Sequence, residues 1–160
     1  MKGRSAETAR VTTFVAVDPE DAFDVFTRET DLWWRRGMRF RGGGDGSVVR
    51  FEGETERRLV EVSTGGETFE IGRVLAWERG LHLAFEWRGR AFAPGEVTHV
   101  DVRFEGASGG TRVTIEHAGW DAIPEAHRAR HGLTGTAFAA MMGLWWGDLA
   151  TTYRMRAAAR

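Results

Sequence analysis

The chain contains no cysteine, which excludes a disulfide framework, a thiol nucleophile and a thiolate metal site. It carries almost no excess charge. The formal net charge is −1, whereas a general nucleic-acid binder needs a basic surface. Lysine is nearly missing: of the 22 basic residues all but Lys2 are arginine, the better planar anion binder. Codon bias in a GC-rich genome accounts for the same excess. Long apolar runs are also missing. The longest uncharged stretch, 132–147, is shorter than the roughly 20 apolar residues of a membrane span, and Asp148 follows it. The opening MKGRSAETAR has no apolar run and does not read as a secretory signal, so the expected compartment is the cytoplasm. Segment 42–46 is glycine-rich but lacks the GK[ST] element and opens no helix, so it is not a phosphate loop. No serine-centred nucleophile elbow and no HExxH zinc motif appear. His127 and His131 are four apart, yet a third ligand is wanting, and no metal or cofactor is expected.

What is present is enough apolar material, 42%, for one globular domain in 160 residues. We expect a loose tail over 1–9 and a single domain over 10–157. The organising element is the last long run, TAFAAMMGLWWGDLATTYRM, read as one helix over 136–155. At helical spacing Phe138, Met141, Met142, Trp145, Trp146, Leu149 and Tyr153 fall within an arc of about 140°. Leu144 and Met155 are exceptions. A broad face of Trp, Met and Phe needs a wide partner, and only a sheet supplies one. Its opposite stripe, Ala139, Gly143, Gly147 and Thr151, predicts close approach by the connection 119–135 or by a second copy of the chain in a homodimer.

The rest reads as strands. A first strand spans 10–17. Asp18-Pro19-Glu20 then starts a helix, with Asp as N-cap and Pro at the first helical position. A short helix follows over 30–34. Strands are expected at 47–51, 57–62, 68–77, 81–87, 97–104 and 111–117, with turn residues between them, which implies an antiparallel meander. A short helix is expected from Pro124.

VTTFVAVDPEDAFDVFT followed by DLWW is similar to the opening of the START-like, or SRPBCC, superfamily. More narrowly it resembles the branch related to the C-terminal domain of the heat-shock chaperone ATPase activator. GRVLAWERGLHLAFEW resembles that branch's central hairpin, GTRVTIEHAGW its last strand, and a Trp inside the final helix, Trp146, is also typical. Two features depart from the pattern. The segment between Trp120 and Thr136 is long, and the hairpin turn, often PP, is Glu78-Arg79-Gly80. The resemblance implies an α+β helix-grip fold, birch-pollen-allergen-like, with a curved antiparallel sheet around an internal cavity. It implies no single activity, since members bind hydrophobic ligands, cyclise polyketides or assist a chaperone.

Strand parity nominates the cavity wall. Leu83, Phe85 and Trp87 share a face, as do Val100 and Val102 in the next strand and Val113 and His117 in the last. Phe69 and Ile71 share a face with Arg73, which is either an anchor for a ligand carboxylate or turned to solvent by a bulge. Met141, Met142 and Trp145 close the wall from the helix. His117 is a candidate ligand hydrogen bonder or acid–base group. Arg35, Arg36, Arg39 and Arg41 follow Trp33-Trp34 and suit a solvated rim or an anion-attracting entrance. On the outer face, the register nearest to tight closure sets His99 between Glu86 and Glu116.

The expected function is therefore the binding of a small hydrophobic molecule. A chaperone-activating module is the alternative, and a cyclase- or hydrolase-like enzyme ranks third, because parity offers only Arg73 and His117 as interior ionisable groups.

Overall fold

Alternation and turn residues produce seven strands among residues 6–160, which the computed structural model describes: β1 (Ala9–Val15), β2 (Val48–Glu52), β3 (Arg58–Val62), β4 (Thr68–Glu78), β5 (His82–Trp87), β6 (Thr98–Ala107) and β7 (Gly110–Ala118). The helices are α1 (Pro19–Arg28), α2 (Thr30–Trp33) and α3 (Gly135–Ala158). The strands form one antiparallel sheet in the order β1-β7-β6-β5-β4-β3-β2, curled as a half-barrel around α3. This is the α+β helix-grip fold that the resemblance implies. No helix among the described residues is long and apolar enough to cross a membrane.

Helix α1 starts where its cap predicts, with the Asp21 N–H donating to Asp18 Oδ1 at 2.8 Å and Pro19 at the first position. The first strand begins at Ala9, and Glu7 accepts hydrogen bonds from Arg130 and from the Gly135 N–H. The loose tail expected over 1–9 therefore does not extend to these residues; residues 1–5 lie outside the described residues.

Helix α3 buries Phe138, Met142, Trp146, Leu149 and Tyr153, as its spacing predicts, and exposes Leu144 and Met155. Each large apolar side chain buried this way contributes roughly 1.5–3 kcal/mol. Around Tyr153 the aromatic rings are dense: Phe26 lies 5.2 Å from Tyr153 and 4.7 Å from Trp33, and Phe23 lies 5.2 Å from Phe104. The Tyr153 hydroxyl donates to the Ala22 carbonyl at 2.7 Å, and burial pushes its pKa up. This aromatic cluster fills the α1 end of the half-barrel.

Two bulges in β4 break its parity. Leu59 faces Gly72 but Val60 faces Glu70, and Val74 faces Phe85 but Ala76 faces Ala84. Phe69 and Ile71 stay inside, whereas Leu75 and Arg73 turn outward. Gly72, beside the first bulge, lets β4 approach β5 closely, since a Cβ there would lie 1.5 Å from the Glu86 carbonyl oxygen. In the hairpin turn, Arg79 donates to Asp24 at 2.7 and 3.0 Å, and its guanidinium holds the Asp24 carboxyl below the usual range. The turn that departs from the family pattern thus ties the hairpin to α1.

The outer face keeps one expected pair and corrects the other. Glu86 is opposite His99, but Glu116 is opposite Asp101 and His99 is opposite Ala118. The turn Ser108-Gly109 closes more tightly than expected, with Gly109 at φ +81°, and slips the register by two while keeping parity. His82 takes the place expected for His99, at 2.6 Å from Asp101 and 3.5 Å from Glu78.

Candidate functional site

A cleft of about 550 Å³ opens at the end of the half-barrel that the aromatic cluster leaves unfilled. Three segments wall it. The first is the α2–β2 loop with Trp34, Met38, Arg39, Phe40 and Gly42; the second is the sheet with Glu61, Phe69, Ile71 and Trp87; the third is α3 with Met141, Met142 and Trp145. Arg88, Gly89 and Arg90 after β5, with Trp120, Ala129 and His131 of the 119–135 connection, complete it. The volume lies within the usual range for small-molecule sites.

The walls are built locally. Arg41 is buried and holds the α2–β2 loop in shape, donating to Asp31 and to the carbonyls of Ser47 (2.7 Å) and Trp34. Burial works against the Asp31 carboxylate, but the Val49 N–H and the Arg41 guanidinium outweigh it and hold its pKa below the ordinary value. The loop then meets α3: Phe40 stacks on Trp145 at 5.7 Å, and the Trp145 indole N–H donates to the Arg39 carbonyl at 2.7 Å. Trp87 lies 6.1 Å from Trp145 and 5.9 Å from Trp120.

The connection holds no helix from Pro124. Two 3-10 turns, Trp120–Ala122 and Arg128–Arg130, replace it. Arg130 is buried, donates to the Trp120 carbonyl at 2.7 Å and to Glu7, and lies over the Phe138 ring at 4.8 Å. His127 and His131 do not share a helical face: His127 Nδ1 accepts from the Ala129 N–H, and His131 sits at φ +50° on the cleft wall. Since the connection packs here, it does not cover the α3 stripe, and a Cβ on Gly143 or Gly147 would meet open space.

Of the residues nominated for the cavity wall, Phe69, Ile71 and Trp87 of the strands and Met141, Met142 and Trp145 of the helix come together in the cleft. Leu83, Phe85, Val100, Val102 and Val113 do not line it; they are at most 1% exposed and form filled core beneath α1 and α3. Parity assigns a face but not the position along the strand at which packing stops and space begins.

Arg73 leaves the interior altogether. It donates to Glu86 at 2.9 and 3.0 Å on the outer face, the solvent-side alternative that the bulge allows. His117 is interior, fully buried, and one layer behind the cleft. Trp146 Nε1 donates to His117 Nδ1 at 3.0 Å. An indole can only donate, so the ring proton sits on Nε2 and reaches Thr98 Oγ1 at 2.7 Å; that hydroxyl donates to the Trp87 carbonyl at 2.8 Å. Burial, with a smaller push from His99, lowers the His117 pKa to about 3. A neutral, saturated imidazole of this kind is a strut and not an acid–base group.

The polar groups inside the cleft are ones that parity did not single out. Glu61 is 4% exposed, accepts from the Gly43 N–H at 2.7 Å and lies 3.4 Å from Arg90. Its strand, RRLVEV, carries apolar residues on both parities, although Leu59 two residues earlier marks the inner one. Arg90 lies in the loop after Trp87, the last residue of β5, where alternation no longer applies. Its guanidinium lies over the Phe69 ring at 4.5 Å and its stem crosses Gly42, where a Cβ would come within 2.6 Å. Of Arg35, Arg36, Arg39 and Arg41, only Arg39 lines the cleft; it pairs with Asp148 and lies 5.0 Å over Phe40.

With this geometry in hand, comparison with known proteins gives a consistent result. The model of the family described as Activator of Hsp90 ATPase homolog 1-like protein matches residues 16–143. No curated protein matches the chain in sequence. Among solved structures, protein MLL2253 from Mesorhizobium loti is similar at a TM-score of 0.65 and 16% identity, covering 93% of this chain and 95% of that one. A protein from Rhodobacter sphaeroides is similar at 0.63 and 20% identity, covering 99% and 97%. The Aha1 dimer from Colwellia psychrerythraea is similar at 0.64 and 12% identity, covering 94% and 96%. At these identities the structures support the fold alone.

Proposed function

The chain belongs to the family of Activator of Hsp90 ATPase homolog 1-like proteins, and from that premise we propose that it is a cytoplasmic, single-domain protein that binds a small hydrophobic molecule between its sheet and C-terminal helix. The observation that carries this reading is the cleft of about 550 Å³ walled by Trp34, Phe40, Phe69, Trp87, Met141 and Trp145. Apolar walls around a few convergent polar groups are what small-molecule sites share. Desolvating a flat or aliphatic body against these rings supplies the driving force, roughly 25 cal/mol per Å² of apolar surface. Native mass spectrometry of freshly purified protein tests it. A co-purified small molecule released by denaturation supports the reading. Its absence, together with no uptake of the apolar dye N-phenyl-1-naphthylamine, counts against it.

The family description itself favours a second reading, a module that engages a chaperone ATPase. Its partner surface would be the charged outer face of β5–β7, where His82, Asp101 and Arg103 lie side by side. Stimulation of a chaperone's ATP hydrolysis by the purified chain, abolished by charge reversal at Asp101 and Arg103, is the expected result; no stimulation counts against it. Because one solved relative is a dimer, we further propose that the open stripe Ala139, Gly143, Gly147 of α3 receives a second copy of the chain.

A further inference from the structure

Hydrogen-bond donors outnumber acceptors among the polar groups of the cleft. Of its indoles, Trp34 donates to the Phe40 carbonyl and Trp145 to the Arg39 carbonyl, while the Nε1–H of Trp120, a residue 1% exposed, has no acceptor among the described residues. Arg90 has five N–H donors, of which the structure engages one, Nη2, through the 3.4 Å contact to Glu61. The single carboxylate on the wall, Glu61, is already occupied by the Gly43 N–H and by Arg90. Arg88 also borders the cleft, with its guanidinium 3.9 Å from Glu70 and a buried Nε–H that has no acceptor among the described residues, and Arg39 pairs with Asp148. Like Arg88 and Arg39, Arg90 has donors to spare.

It is also held in place. Gly42 and Gly43 leave room for its stem and for the Glu61 carboxylate, because a Cβ would come within 2.6 Å of Arg90 Cδ at the first and 2.5 Å of Glu61 Oε2 at the second. The Phe69 ring supports the guanidinium from below at 4.5 Å. A planar fork fixed by stacking loses little freedom on meeting a planar oxyanion and recognises it two-pronged.

We propose that the ligand is a flat apolar acid: an aromatic body that lies among Trp87, Trp145 and Phe40, with one carboxylate that accepts hydrogen bonds from Arg90. This rests on the hydrophobic-ligand reading above and narrows it to a chemical class. The free donors of Arg90 give a carboxylate charge-assisted hydrogen bonds that a neutral hydrocarbon cannot accept.

The test separates this inference from the reading beneath it. N-phenyl-1-naphthylamine is bound first as a neutral reporter, then displaced by 2-naphthoate and by 2-naphthamide, which differ in charge but hardly in size. In the wild type, 2-naphthoate is expected to displace the reporter about tenfold more tightly than 2-naphthamide. Arg90→Gln should bring the two together while reporter binding persists. Arg90→Lys, which keeps the charge and loses the fork, should fall between. Equal affinities in the wild type overturn the carboxylate assignment and leave the cavity reading standing. A tenfold gap that survives Arg90→Gln overturns the role of Arg90. If neither the reporter nor either naphthalene binds, the cavity reading fails and this inference with it. Should Arg90→Gln lose reporter binding through misfolding, the wild-type ratio and Arg90→Lys decide.

Discussion

We predict that mild acid destabilises this protein through a single residue, His117. The side chain is fully buried and neutral, with Nδ1 accepting from Trp146 and Nε2–H donating to Thr98. A proton added to Nδ1 would set two donors against each other in a dry site. Its folded pKa is accordingly pushed down to about 3, first by burial and then by His99, against 6.5 for an exposed imidazole. Below pH 6.5 the unfolded chain takes up a proton that the folded chain refuses. The stability contributed by the neutral ring is therefore complete above that pH and declines as pH falls toward 3. The slope is about 1.4 kcal/mol per pH unit, which integrates to about 2 kcal/mol between pH 6.5 and 4.5. For a domain with a total of about 5–15 kcal/mol, this is a large fraction. Asp24 and Asp31, held below their ordinary value of 3.8, act in the same direction only at lower pH, so the window stays clear of them. The assay is urea unfolding followed by tryptophan fluorescence at several pH values, for the wild type and His117→Gln. The amide oxygen of Gln can still accept from Trp146, and Gln does not titrate. The variant is expected to be less stable at pH 8 and to lack the extra slope. Parallel slopes for the two proteins, or an NMR midpoint for folded His117 near 6.5, would refute the reasoning.

Other outcomes are equally specific. Gly72→Ala would push a Cβ into the Glu86 carbonyl, so loss of more than about 3 kcal/mol in thermal unfolding, or failure to fold, is expected; a variant of normal stability would show that β4 does not approach the Glu86 carbonyl this closely. The adjacent tryptophans of α3 should behave differently. Trp146→Ala, in filled core, should cost about 3–5 kcal/mol, whereas Trp145→Ala, half-buried on the cleft, should cost about 1–2 kcal/mol and abolish binding of N-phenyl-1-naphthylamine. Equal costs with dye binding retained would contradict the placement of the cleft. On the proposal that a second copy packs on the α3 stripe, replacing Gly143 and Gly147 together by Ala should shift solution mass from dimer to monomer in analytical ultracentrifugation; a gain of about 1 kcal/mol per site with unchanged mass would show that the stripe is a free surface.

Much of the architecture was legible in the chain because it depends on local chemistry and period. The cap at Asp18-Pro19, the helical stripe from Phe138 to Tyr153 and the turn glycines act within a few residues of themselves, so the order of strands and helices follows from reading along the sequence. Inward rows such as Val100–Val102 and Val113–Ile115 were visible because the side-chain period of a strand is two. The family likewise was present in segment order and spacing.

The site was only half written there. Six of the thirteen nominated residues meet in the cleft, because parity separates inside from outside but says nothing about depth. Which end of the half-barrel is filled depends on Phe23, Phe26 and Trp33 arriving from α1 and α2, segments distant in sequence. Arg73 was reassigned by a bulge, a property of two strands in register and not of one strand alone. His117 became a strut because Trp146, 29 positions away, donates to it. Glu61 and Arg90 emerge as a pair only once β3 and the loop after β5 fold against Gly42 and Gly43. Period and local turn chemistry determined the elements; packing across the chain decided where they leave room, and which charged groups face it.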